Sequence, residues 1–182
     1  MFGSSNLGRL VIDGLIVYVT PYFPPFGAGG AEYTASLHAG LLVDEGQKVL
    51  VVTPNYGAAE RELSGGLEVV RYPFIYLTRP GGQVDARRFS SSVTQAQLCR
   101  AIISAVAGRR VHCVHAQHQY VVEGAADAAT KLGVPLVAHL RDTSQLCSIG
   151  ALWLMELDKE IPRSEEHTSE LQSRQYLVCR LL

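Results

Sequence analysis

Short, unbroken apolar runs alternate along this chain with longer segments in which apolar residues recur at helical spacing. Leu15 to Thr20 (LIVYVT) is continuously β-branched and aromatic, the pattern of a strand covered on both faces. From Gly30 a helix is predicted with Ala35, Leu37, Leu41 and Leu42 as its apolar positions, stopping at Gly46. Lys48 to Thr53 (KVLVVT) predicts a second buried strand and Leu67 to Phe74 a third, followed by a long loop to about Ser90. Ser91 to Gly108 predicts a helix with Val93, Leu98, Ile102, Ile103 and Val106 on its apolar side. Val111 to His115 predicts a fourth strand, Val121 to Leu132 an Ala-rich helix ending at Gly133, and Pro135 to Leu140 a fifth strand. Such alternation implies an α/β fold, a Rossmann-like parallel sheet with helices on both faces.

Composition narrows the class. The chain has 182 residues, 47% hydrophobic, with a formal net charge of −1. That length suffices for one domain with a proper core. Near-neutral charge argues against a nucleic-acid partner, because Arg87-Arg88 and Arg109-Arg110 do not extend into a basic face and read as solvated helix ends. Cysteines at 99, 113, 147 and 179 show no CxxC spacing, so buried free thiols are expected rather than a metal or disulfide. The run from Leu10 to Val19 contains Asp13 and is too short for a membrane span. The expected location is the cytoplasm, with peripheral contact at the inner face of a membrane left open.

Chemistry concentrates after the first strand, in PYFPPFGAGG, with three prolines and three glycines in ten residues. Glycines between a strand end and a helix start allow close backbone approach and leave N–H groups free for an anion. A dinucleotide fingerprint from Gly27 and Gly29 would need glycine where Glu32 stands, and the second strand ends Thr53-Pro54-Asn55 without a ribose-binding acid. No GK[ST] follows, which excludes a P-loop. Glu32 is readable as an ordinary first-turn acid favoured by the helix dipole. His115 and His118 fall at the C-terminal end of the fourth strand, the edge where open α/β sheets bind ligands. Two histidines without a third converging ligand do not make a metal site.

The phrase from VYVTPYFPPFGAGGAEYT to QKVLVVTPNYG resembles the opening of family-4 glycosyltransferases of GT-B architecture. Their marks are a proline ahead of Gly-Gly-x-Glu, then a helix, then Gly-His-x-Val-x-Val-x-Thr. The matching residues are Pro25, Gly29, Gly30, Glu32, Leu42, Gly46, Val49, Val51 and Thr53, with Gln47 in the histidine slot. The likeness runs over roughly 15–142. It implies a retaining enzyme that moves a sugar from a nucleotide-sugar donor to a glycan or lipid-linked acceptor, without a metal or other cofactor. Gly27, Gly29 and Gly30 become a donor-phosphate loop, and His115, His118, Arg141 and Asp142 line the acceptor side of the cleft. Where the family has His-Asp after its fifth strand, this chain has Arg141-Asp142, and arginine cannot serve as a general base. His139 falls in the family's threonine slot. Catalytic residues stay unassigned. Two other readings stay open: another Rossmann-like nucleotide enzyme, such as an epimerase or dehydrogenase, and a non-catalytic α/β binding module.

After Pro162 the character changes. The eleven residues RSEEHTSELQS from Arg163 to Ser173 resemble, codon for codon, a translated short-read sequencing adapter. LVCRLL, from Leu177, matches the adapter's continuation, with Arg174, Gln175 and Tyr176 where an index would sit. The expected organisation is a flexible lead-in over 1–14, a truncated glycosyltransferase N-terminal domain over 15–162, and a non-native tail over 163–182. The C-terminal donor-binding domain would then be missing and the fragment inactive alone.

Overall fold

A computed structural model describes residues 12–27, 30–76, 86–140, 153–156, 159–162 and 177–181. The sheet is built outward from β1 (Leu15–Val19), whose five side chains are all buried. β1 lies between β2 (Lys48–Asn55) and β5 (Val111–Ala116), parallel to both. β4 (Leu67–Pro73) extends the sheet beyond β2, and β6 (Leu136–Leu140) beyond β5, again in parallel. Antiparallel strands β3 (Arg61–Ser64) and β9 (Leu177–Leu181) close the edges, giving the order β3-β4-β2-β1-β5-β6-β9 over seven strands. A separate antiparallel pair is formed by β7 (Trp153–Glu156) and β8 (Lys159–Pro162). β9 lies within the segment expected to be foreign.

Helix α1 (Gly30–Asp44) covers one face of the sheet. Its Ala35 and Ala39 pack with Tyr18, Val49, Val51 and Val69. The short α2 (Ala86–Phe89), α3 (Ser92–Val106) and α4 (Gln119–Leu132) lie on the other face, over Val17, Val19, Leu50, Val52, Val114, Ala116 and Leu136. The expected parallel α/β sandwich is therefore present.

Several expectations need correction. In α1 the buried positions are the two alanines, while Leu37 and Leu41 are half exposed. Apolar residues surround this helix, so periodicity alone could not choose the face, and small side chains take the close contact over Tyr18. Val93 is likewise exposed, because the packed stripe of α3 runs through Leu98, Ile102, Ala105 and Val106. β3 was not foreseen at all: its sequence RELS is polar and its Leu63 faces solvent, as an edge strand allows. The signal was Gly65-Gly66, which supplies the two positive φ angles of a tight hairpin, +57° and +88°. β2 continues through Pro54 because the missing N–H points toward β1 beyond that strand's end at Val19↔Val52.

Candidate functional site

The loop after β1 is held from beneath by two buried side chains. The Tyr56 hydroxyl donates to the Pro21 carbonyl at 2.9 Å. Arg71, on β4, donates through Nη2 to the Pro24 carbonyl at 2.7 Å and through Nη1 to that of Ala59 at 3.1 Å, and pairs with Glu62 at 2.9 Å. Tyr22 stacks on Tyr56 at 4.9 Å between ring centroids. Burial, followed by the neighbouring Tyr22 and Tyr72, pushes the Tyr56 phenol far above its ordinary range, so it stays a proton donor.

Gly27 has φ +97°, and a Cβ there would meet Glu32 Cγ at 2.6 Å. Glycine is therefore required by both the turn and the carboxylate side chain folded against it. Gly29 lies outside the described residues. Gly30 opens the 15-residue α1, and a Cβ on it would meet nothing within 4 Å. Among the described residues the N-terminus of this helix thus borders open space at the sheet edge, and the first N–H groups and dipole of a helix are suited to an anion.

The edge beyond β5 lies beside this loop. The Gln117 N–H donates to the Val19 carbonyl at 2.8 Å, so the chain leaving β5 and the chain leaving β1 part at the same end of the sheet. His118 caps α4 in extended conformation (φ −171°), its Nδ1 accepting from the Tyr120 N–H at 3.4 Å. His115 sits further in, on the α1 face. Its ring lies 5.0 Å from Tyr18, 6.1 Å from His38 and 6.3 Å from the buried His139, and Gln117 Nε2 is 2.9 Å from its Nε2. Tyr18 Oη is 3.3 Å from His38 Nδ1. The two predicted histidines therefore share an edge without converging: one caps a helix, the other joins an imidazole cluster. His38 gave no sequence signal of its own; the family's threonine slot at His139 was the nearest hint. Arg141 and Asp142 lie outside the described residues.

Among the described residues no group of three or more His, Cys, Asp or Glu side chains is placed to hold a metal ion. Nor is any of their helices long and apolar enough to cross a membrane. Gln47, in the family's histidine slot, accepts the Ile12 N–H at 3.0 Å and ties the lead-in to the turn before β2.

Residues 28–178 match the family described as glycosyl transferase 4-like domain. The chain belongs to this family. A comparison with curated protein sequences finds no match. Among solved structures, the chain is similar to sucrose-phosphate synthase from Thermosynechococcus elongatus, with TM-score 0.57 and 13% identity over 89% of this chain. It spans 40% of that protein's length. A second sucrose-phosphate synthase structure from the same organism aligns with TM-score 0.55 and 12% identity, over 90% of this chain and 83% of the other. At such identity the likeness concerns the fold: a glycosyltransferase-type α/β domain, of which this chain corresponds to a part.

Proposed function

We propose that this glycosyltransferase domain is the acceptor-side half of a retaining enzyme that transfers a sugar from a nucleotide-sugar donor. The observation that carries the reading is the shared edge: the open N-terminus of α1 at Gly30 and the Gln117-His118 turn leave the sheet side by side. Gly27, Gly29 and Gly30 would approach the leaving diphosphate, whose charge the helix N-terminus offsets. His118 and Arg141-Asp142 would line the acceptor side, with His115 supporting it from within. Catalysis is positioning plus electrostatic stabilisation of the leaving group, with no metal and no assigned general base. The donor nucleoside belongs to a second domain, which makes this chain inactive alone. The cytoplasm, at or near a membrane surface, is the proposed location, and a glycan or lipid-linked molecule the acceptor.

Calorimetric titration of the chain with uridine, guanosine and adenosine diphosphate sugars, and with NAD, tests the division of labour. Little or no heat of binding is expected. Tight, saturable binding of any of them would overturn the acceptor-side assignment, and NAD binding would favour a dehydrogenase. Residues 163–182 are proposed to be foreign, on their adapter-like codons. Recovery of RSEEHTSELQS from an independently amplified genomic clone would refute that.

A further inference from the structure

A groove of about 550 Å³ lies between α3 and the β3–β4 edge, lined by none of the glycine-loop residues. One wall is the outer stripe of α3, with Gln97, Arg100, Ala101 and Ser104, and the other is the β3–β4 edge, with Glu60, Arg61, Val70 and Tyr72. Its volume falls in the range of small-molecule sites. Helix stripes that face a sheet edge are ordinarily apolar. This one carries an amide, a guanidinium and a hydroxyl over a floor of Val70, Tyr72 and Ala101.

Two cationic side chains have unused capacity, whereas the amide beside them is committed. Gln97 Nε2 donates to the Pro73 carbonyl at 2.5 Å, which fixes the amide and leaves Oε1 buried without a donor. That oxygen is closed to water, and so to a ligand hydroxyl as well. Arg100 has no hydrogen-bond or ion-pair partner among the described residues. Arg61 reaches Glu68 only at 3.5 Å, and Glu68 is already engaged by Arg109 at 2.6 Å. Arg71 also borders the groove, but its guanidinium is committed to Pro24, Ala59 and Glu62. Among the described residues Glu60 is the one carboxylate in the lining, suited to accept hydroxyls.

We propose that the groove between α3 and the β3–β4 edge is a ligand site, lined by residues other than those of the glycine loop, for a small polyhydroxylated anion. Arg100 and Arg61 take the anionic group, Glu60 accepts hydroxyl protons, and Val70 with Ala101 meets the carbon skeleton. The site does not depend on the transfer reaction proposed above.

The test is titration of the 15N-labelled full chain with glucose 6-phosphate, with glucose and inorganic phosphate as separate arms, read by amide chemical shifts. Saturable shifts at Gln97, Arg100 and Ser104 are expected with the sugar phosphate, and much weaker ones with either half alone. Arg100→Ala, a surface change that leaves the fold intact, should weaken binding by about tenfold or more, the size of one charge-assisted hydrogen bond. Ser104→Leu, which occupies the groove from an exposed position, should do the same. Absence of saturable shifts, phosphate binding as well as the sugar phosphate, shifts centred on Gly27 and Gly30, or an unchanged response in Arg100→Ala would each overturn the proposal.

Discussion

Tyr56 and Tyr72 are buried phenols whose proton affinity is raised, Tyr56 by desolvation and its tyrosine neighbours, Tyr72 by desolvation. The unfolded chain releases these protons near the ordinary tyrosine value of about 10, whereas the folded chain holds them. The native state therefore binds more protons in alkali, and stability is fully present below that pH and falls as pH rises above it. Cys113, raised in the same sense by burial, adds to the slope. Thermal melts from pH 7 to 11 should show the midpoint dropping most steeply above about pH 10. Tyr56→Phe should flatten that drop while lowering stability at pH 7 by about 1 kcal/mol through loss of the hydrogen bond to Pro21. A slope unchanged in Tyr56→Phe would contradict this account. None of it was legible in the sequence, where Tyr56 stood in a turn-like stretch after the second strand. Its burial follows from the loop of residues 21–27 folding over it, a tertiary event without local signature. The same holds for Arg71, which lies within the predicted third strand and bolts that loop down from β4.

At the scale of elements, legibility followed burial. Strands enclosed on both faces, such as LIVYV of β1, advertise themselves as unbroken apolar runs, and helices with caps at Ser91 and Gly133 show their ends. The face of α1 and the edge strand β3 did not, since the first is apolar all round and the second is polar. The contact between α3 and α4 depends on a residue that sequence reading passed over. Gln95 is buried in α3, and its Nε2 donates to the carbonyls of Phe89 and Tyr120 while its Oε1 accepts the Gly124 N–H at 2.6 Å. The side chain thus inserts into the first turns of α4. A Cβ at Gly124 would lie 2.7 Å from the Gln95 carbonyl oxygen, a backbone atom that cannot swing away. Gly124→Ala should therefore destabilise the domain by about 1–3 kcal/mol despite the better helix propensity of alanine. Urea unfolding measures it. A neutral or stabilising result would mean that the two helices can separate freely, against the packing described.

For the molecule as a whole, the order of strands puts the β1 loop and the β5 turn at one edge, and this much the family-like phrase around Gly29, Gly30 and Glu32 anticipated. The imidazole cluster of His38, His115 and His139 was not anticipated, because its members come from α1, β5 and β6 and meet only through the crossover of the chain. The central claim of the proposed function is that the open N-terminus of α1 faces the leaving diphosphate. Gly30 allows a clean test, since a Cβ there meets no atom of the described residues within 4 Å and substitution should leave the fold intact. The decisive measurement is kcat for sugar transfer by this domain joined to the proposed donor-binding domain, comparing the parent enzyme with Gly30→Val at matched thermal stability. The account predicts measurable transfer from a nucleotide sugar and a loss of about tenfold or more in the variant, through crowding of the diphosphate. Equal kcat in the two proteins, or no turnover of any nucleotide sugar by the parent, would contradict it.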